Sequence, residues 1–534
     1  MKSLVIKRIP PHLLSLMAVA LLAIAISAKH LNEPPGYIHA WAQADNYSLA
    51  MGFLHNGGDL FHPQTLIYNK QQMDPDMPLS LVTACDPPLH HYCVSLLMRL
   101  FGTHAPWVFR GWTLAVSILG LWMLYAMVWL MTRSRLKALL IAAVCATAPS
   151  FAYYSSSFIP TVPSLACAMA GLFCYVRHQR DDNNWWLYGA IALLTLAMLQ
   201  RTSLAVLWVA VAGFHFLRLL RHETSWRHSW LPFTLGIVVF GAYYLWNMHL
   251  RAAYGSLFLS SLLPVESREQ AANVLQNVHD RWQFHYFQRL QHWLVVALAV
   301  AVVVCRITRL KRGLPTKGLS QWWLLAIWLF GELLFAAAMF KQYKDHDYYF
   351  LDSFFLPLVF LMALLVAELP NPKGRLANIA SSTVLVILLA AMGWQCAFMQ
   401  EERRKEGAEA LQTAVNYKSA NRLLNAAGVG ADTRLLALFA YPQNTPFCMM
   451  DREGYVVMWT LPEVVDYALT FPFDAILIED DSFRRNFDEV PVLSRVHRIA
   501  GNDTLSLCTL SDTTESITPD DFFSQGRSCP LMER

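Results

Sequence analysis

The chain has 534 residues, of which 55% are hydrophobic and 15% charged, against about 25% charged in a typical soluble domain. Residues 401–534 hold 34 of the 80 charged side chains, which excludes a wholly soluble enzyme and a disordered chain. A membrane-embedded body of about 400 residues followed by a water-soluble domain of about 130 fits this division. The formal charge of +4 is too small to argue for nucleic acid. Ten cysteines without C-x-x-C spacing give neither a disulfide framework nor a zinc site.

A membrane-crossing helix needs roughly 20 mostly apolar residues. Eleven segments qualify: 11–28, 108–131, 138–154, 161–177, 185–200, 203–220, 230–249, 291–305, 321–340, 348–368 and 376–399. The first, behind Lys2, Lys7 and Arg8, reads as a retained helix rather than a cleaved leader, given its length and the weak small-residue site around Ala25 and Ser27. With those three residues in the cytoplasm, Arg133/Arg135/Lys137, Arg177/Arg180, Arg218/Arg221/Arg227, Arg306/Arg309/Lys311/Arg312/Lys317 and Lys373/Arg375 all fall on the same side, as the positive-inside bias requires. The long loops 29–107 and 250–290 and the tail 400–534 then lie outside. The expected organisation is a transmembrane domain over 1–399 and an extracytoplasmic α/β domain over 400–534.

The first outer loop carries His39-Ala-Trp41-Ala-Gln43-Ala-Asp45-Asn-Tyr47 and Asp86-Pro-Pro-Leu-His90-His91-Tyr92. Helical spacing puts Trp41, Asp45, Ser48 and Gly52 on one stripe and Tyr47, Ala50, Met51 and Leu54 on another, an amphipathic helix suited to the membrane surface. Asp45 is then either a general base beside an aromatic ring or a solvated polar-face residue. Gln200-Arg201-Thr202 interrupts two apolar runs; Arg201 either faces an outer cavity or snorkels to the interface. Lys341-Gln-Tyr343-Lys344-Asp345-His346-Asp347-Tyr348-Tyr349 stands at the outer mouth of a segment. Its lysines, histidine and tyrosines suit a phosphate at headgroup depth, or an interfacial anchor.

In the tail, 406–427 has helical spacing and ends at Gly428 and Gly430. Leu435–Ala440 and Ala475–Ile478 read as strands and Pro462–Leu469 as a short helix. Val496–Ile499 and Leu505–Leu510 flank a hairpin turn at Gly501-Asn502-Asp503. Glu479-Asp480-Asp481 reads as a solvated strand end, so the tail is expected to carry no transfer chemistry. Cys448, Cys508 and Cys529 allow one unassigned disulfide. Asn46-Tyr-Ser48 and Asn502-Asp-Thr504 match the glycosylation pattern. No Walker-type loop, G-x-S-x-G elbow or H-E-x-x-H is present, and no spacing dictates a metal site.

Trp41-Ala-Gln43-Ala-Asp45, then Asp86-Pro-Pro-Leu-His-His-Tyr and Leu100-Phe101-Gly102, then His346-Asp347-Tyr348-Tyr349-Phe350-Leu351, stand in an order that resembles bacterial integral-membrane glycosyltransferases of the GT-C superfamily. The likeness is to the group of protein O-mannosyltransferases and the lipid A aminoarabinose transferase (glycosyltransferase family 39-like), over nearly the whole chain. It implies an α-helical polytopic fold and a sugar transferred from a polyprenyl-phosphate donor, with inversion, to an envelope lipid, glycan or protein. It implies a seat in the bacterial inner membrane with the chemistry on its outer face. Asp45 matches the loop aspartate that activates the acceptor hydroxyl. Relatives carry a second acid in the next outer loop, but Tyr153–Pro163 has none, which leaves Asp86 to supply that role or leaves it absent. Trp41, Gln43, His90, His91, Arg201, Lys341, Lys344, His346, Asp347, Tyr348 and Tyr349 are the expected substrate-binding residues. The proline expected early in the last motif is displaced to Pro357. No cofactor is required, and a divalent metal stays open. A transporter or flippase and a non-catalytic scaffold are the competing classes. The clustering of polar residues in outer loops, rather than in broken helices at mid-membrane, argues against a transporter.

Overall fold

The computed structural model describes residues 10–68, 79–255, 262–313, 320–510 and 517–529. Lys2, Lys7, Arg8 and Lys317 lie outside the described residues. The chain divides into two compact units. One comprises Met1–Leu31, Arg110–Tyr244 and Ser260–Glu402; the other comprises Asn32–Phe109, Leu245–Leu259 and Arg403–Arg534.

The first unit is helical. Every expected apolar segment is helix, and eight helices among the described residues are long and apolar enough to cross a membrane: Pro11–His30, Pro106–Thr132, Thr202–Leu220, Trp226–Tyr254, Arg289–Lys311, Gln321–Ala338, Tyr348–Glu368 and Arg375–Lys405. The other three expected spans are helical without reaching that standard. The segment at 138–154 breaks into Arg135–Ala146 and Pro149–Tyr154, because Pro149 has no N–H to continue the ladder. The helix Asn184–Gln200 has 17 residues, and Thr161–Asp181 ends in Arg177, Arg180 and Asp181.

Polar side chains tie these helices where apolar packing alone is weak. Gln291 Nε2 donates to the Val144 carbonyl at 2.8 Å and Gln288 Nε2 to that of Met392 at 2.9 Å. At another point Arg306 Nε donates to Glu368 Oε2 at 2.6 Å, and Trp322 Nε1 to Glu368 Oε1 at 2.8 Å. The helix from Tyr348 widens into a π-type turn over Leu351–Phe355 before Leu356–Glu368 resumes. The displaced proline explains this: Pro357 lacks a donor and its ring crowds the preceding turn, so the backbone opens there. The opening carries Asp352 and Ser353, both buried.

The second unit combines the long segment Asn32–Phe109 with Leu245–Leu259 and the tail. Its six-stranded sheet uses β1 (Leu435–Leu438), β2 (Gly454–Val457), β3 (Ala475–Glu479), β4 (Val496–Gly501), β5 (Leu505–Leu510) and β6 (Arg527–Ser528), in the order β2-β1-β3-β5-β4-β6. β2, β1 and β3 are parallel; β5 is antiparallel to β3 and to β4. The expected hairpin forms, its turn closed by Asn502 Oδ1 accepting from the N–H groups of Thr504 and Leu505 at 3.0 and 2.8 Å. The core places Leu436, Leu438, Ile476 and Ile478 against Tyr455 and Phe483. β2 does not present an open edge. Loop residues 66–68 run beside it, with Gly454 N donating to Leu66 O at 3.1 Å and Tyr68 N to Gly454 O at 3.0 Å, which protects the edge from unwanted pairing.

Two tail expectations are corrected. Glu479 is buried and accepts from Thr413 Oγ1 at 2.6 Å and Asn416 Nδ2 at 2.8 Å. Asp480 accepts from Ser506 Oγ at 2.6 Å. This strand end is a satisfied polar network rather than a solvated one, because helices 409–417 and 420–426 fold over it. Cys448 and Cys508 are buried free thiols and Cys529 is half-buried and free.

Candidate active site

Asp45 lies on the helix Ala40–His55. That helix departs from the expected amphipathic surface helix. Ala44, Tyr47, Ser48, Leu49, Ala50, Met51, Gly52 and Phe53 are all buried, so nearly its whole circumference is packed. Ser48 Oγ accepts from Leu66 N at 2.8 Å, and a β-carbon at Gly52 would overlap the carbonyl oxygen of Gln64. The small residues that imitate a polar stripe are there to let the loop backbone close in.

Asp45 is half-buried. Trp41, one turn earlier, hydrogen-bonds it, as do the side chains of Gln443 and Asn444 from the tail; Asn444 Nδ2 donates to Asp45 Oδ1 at 2.7 Å. Loss of hydration raises the Asp45 pKa to about 7, and the three hydrogen bonds restrain the rise. The carboxylate is therefore poised near neutrality, where a general base works best.

The other loop residues are placed unequally. Gln43 is buried and its Nε2 donates to the carbonyls of Gly36 and Ile38, each at 2.9 Å; it pins the turn into the helix. Asp86 is half-buried just ahead of the helix Leu89–Phe101. His91 Nε2 pairs with Asn46 Oδ1 at 2.7 Å, and both His90 and His91 meet the Phe109 ring edge-on. Burial lowers the pKa of His91 to about 3 and that of His90 well below its ordinary value. Both are neutral at physiological pH and pack against Phe109. Asn46 also donates to Ala42 O at 2.6 Å, and Asn502 Nδ2 donates to Ser419 Oγ at 3.0 Å, so both glycosylation-pattern asparagines are structural.

In the helical unit, Arg201 caps the helix Asn184–Gln200. Its Nε donates to Asp352 Oδ2 at 3.0 Å, and its guanidinium lies 5.5 Å from the Tyr348 ring centroid. The His346 ring meets Tyr348 and Tyr349 edge-on at 5.4 and 6.0 Å. Arg201, His346, Tyr348 and Tyr349 thus form one cluster. Asp347 points elsewhere: fully buried, it accepts from Tyr154 Oη at 2.6 Å and Ser150 Oγ at 3.0 Å. Lys341 Nζ donates to Glu266 Oε1 at 2.6 Å. Lys341 and Lys344 line an open pocket of about 530 Å³ with Gln270, Asn273 and Asp345.

Sequence reasoning missed Asp352, Gln443 and Asn444. Asp352 had a signal, an acid inside an apolar span. Gln443 and Asn444 had none, since their partner lies about 400 positions away in the chain. The second acid that the resemblance implies has no counterpart at Tyr153–Pro163, a segment that is wholly buried; Arg110 Nη1 donates to the Ser156 carbonyl there at 2.7 Å. Among the described residues, no three His, Cys, Asp or Glu side chains are grouped to hold a metal ion.

Residues 85–246 match the family described as dolichyl-phosphate-mannose-protein mannosyltransferase. No curated protein matches the chain. Among solved structures, the chain is similar to ArnT from Cupriavidus metallidurans bound to undecaprenyl phosphate, at 12% identity and a TM-score of 0.60, covering 95% of this chain and 99% of that one. It is similar to the mycobacterial arabinofuranosyltransferase AftD, at 12% identity and 0.51, covering 94% and 41%. It is also similar to the Archaeoglobus fulgidus oligosaccharyltransferase, at 11% identity and 0.50, covering 94% and 74%. With its apolar helices, its small mixed sheet and these likenesses, the chain is a multi-pass membrane protein with an ArnT-like fold.

Proposed function

We propose that this protein moves a sugar from a polyprenyl-phosphate-linked donor to an envelope lipid, glycan or protein on the outer face of the bacterial inner membrane. The observation that carries the reading is Asp45: a half-buried carboxylate, held by Trp41, Gln443 and Asn444, with a pKa near 7. The family match at 85–246 supports a lipid-phosphate donor.

The acceptor hydroxyl gives its proton to Asp45 as its oxygen attacks the anomeric carbon. The bond from that carbon to the phosphate oxygen breaks, and the lipid phosphate leaves with the electron pair. A direct displacement inverts the anomeric centre. Lys344 and Lys341, with Arg201, His346, Tyr348 and Tyr349, receive the phosphate through charge-assisted and hydroxyl donors. Asp86 takes the place of the second acid. Trp41 orients Asp45, while Gln43, His90, His91 and Asp347 support the site by packing.

The test is sugar transfer by the purified protein from a polyprenyl-linked donor. Asp45→Asn keeps the shape and removes the proton acceptor, so turnover should fall about 10²–10⁴-fold with donor binding retained. Near-normal turnover in that variant would falsify the assignment. The outward tail is tested separately, by labelling an introduced tail cysteine from outside intact cells; labelling only after permeabilisation reverses the topology.

A further inference from the structure

The tail was expected to stand apart from the chemistry, yet it supplies two of the three side chains that hold Asp45. Gln443 and Asn444 follow β1, which is buried along its whole length between β2 and β3. Functional groups of open α/β sheets collect at the carboxyl ends of such parallel strands. The segment is fixed from both sides. Thr445 N donates to Pro442 O at 3.0 Å and Cys448 N to Asn444 O at 3.0 Å, which starts the helix Thr445–Met450. Asn444 is 2% exposed, and Phe447, Cys448 and Met450 beyond it are buried.

The chemistry of the pair is one-sided. An amide N–H donates to an ionised carboxylate, whereas the Asn444 Oδ1 has no hydrogen-bond partner among the described residues. The amide therefore favours the charged form of Asp45, the form that accepts a proton. Charged and titratable groups around the helix are Tyr441 and Cys448 from the tail, His90, His91 and Arg99 from 89–101, and His55, His104, Asp451 and Glu453 towards its far end. Tyr441 and Cys448 both have raised pKa values and are neutral, and His90 and His91 are neutral. Arg99 donates to the Phe53 carbonyl and His55 pairs with Asp451 and Glu453, so these cations are engaged away from Asp45, whose carboxylate is held by Trp41 and the two amides.

We propose that Asn444 and Gln443 are positioning residues for Asp45, holding its carboxylate ionised and aimed, so that the C-terminal domain is an integral part of the transfer machinery rather than an appended module. This rests on Asp45 being the base. Removing one hydrogen bond to a charged group should move the Asp45 titration up by about one to two pH units. With the starting value near 7, transfer at pH 7 should then fall about 5- to 50-fold and recover toward the wild-type plateau at higher pH.

The experiment uses purified full-length protein with Asn444→Ala, Asn444→Asp and Gln443→Ala. Asn444→Asp preserves shape and replaces the donor by a second carboxylate, which should raise the apparent value further, since two adjacent carboxylates do not both ionise readily. Two readouts are taken: the pH–rate profile, and the Asp45 carboxyl titration by infrared difference spectroscopy, its band assigned by loss in Asp45→Asn. A shift of both in the same direction supports the proposal. An Asp45 titration unmoved in every variant overturns it, including where activity is lost at all pH values. A shifted titration in a protein whose Asp45→Asn form still transfers sugar keeps the positioning role and overturns the base assignment instead.

Discussion

Arg201 and Asp352 form a buried ion pair: Arg201 Nε reaches Asp352 Oδ2 at 3.0 Å, and the Asp352 side chain is wholly enclosed. Two local irregularities make it possible, the helix end at Gln200 and the π-type turn at Leu351–Phe355. Removing one partner of such a pair typically costs about 3–5 kcal/mol. Arg201→Ala and Asp352→Ala should each reduce the folded protein recovered in mild detergent and lower its unfolding temperature. The double variant should lose less than the two losses combined. Full additivity would show that the pair is not coupled.

Lys344 and Lys341 are not equivalent. Lys341 is engaged by Glu266, an exposed partner, and exposed pairs contribute little. Lys344→Ala should weaken binding of a polyprenyl-phosphate donor about 10- to 150-fold, the loss of one charge-assisted contact of about 1.5–3 kcal/mol. Glu266→Ala should leave affinity unchanged or improve it. Titration of the detergent-solubilised protein with lipid phosphate checks both, and unaltered affinity in Lys344→Ala removes the lysine from the donor site.

Gly52 is a steric requirement rather than a conformational one. A β-carbon there meets backbone, not a side chain that can swing away, so Gly52→Ala must push residues 64–66 off the helix or shift the helix itself. Overpacking of this kind costs about 1–3 kcal/mol. Increased proteolysis between 56 and 68 and reduced transfer are expected. A variant as protease-resistant as the parent would show that the loop relaxes freely.

Asp45 should make the protein less stable as the pH rises. Its folded pKa, near 7, is above the ordinary carboxylate value of 3.8. The folded state therefore holds the proton more tightly between these two values, and stability falls as pH rises through that window. One pKa unit corresponds to about 1.4 kcal/mol. Asp45→Asn should match the parent in thermal stability near pH 4 and exceed it at pH 8, while losing activity. Equal stability at pH 8 would mean that the carboxylate is not desolvated.

Asp347 is predicted to act through packing. Asp347→Ala removes the carboxylate that accepts from both Tyr154 Oη and Ser150 Oγ; Ser150 Oγ keeps the His285 carbonyl at 2.9 Å, and losing a buried hydrogen bond to a charged group costs about 1.5–3 kcal/mol. Folded yield should drop, whereas Tyr154→Phe, which removes one donor and leaves no orphan hydroxyl, should be milder. Reduced donor affinity at normal folded yield would instead give Asp347 a direct substrate contact.

What the sequence by itself determined was everything governed by local periodicity. The apolar runs became helices because a backbone in lipid must satisfy its own hydrogen bonds. The tail strands and the Gly501–Asp503 turn appeared where alternation and turn residues placed them, and Trp41 and Asp45 met because they stand one turn apart. Tertiary structure decided the rest. Whether the Ala40–His55 helix lies on a surface or is enclosed depends on loop residues 64–68, which carry no periodic signal. Whether Arg201 is free or paired depends on Asp352, about 150 positions on. Whether Asp45 is an ordinary carboxylate or one poised at neutrality depends on burial and on Gln443 and Asn444. A pKa is set by the dielectric and the donors within a few ångströms, and those neighbours are assembled only when distant parts of the chain fold together.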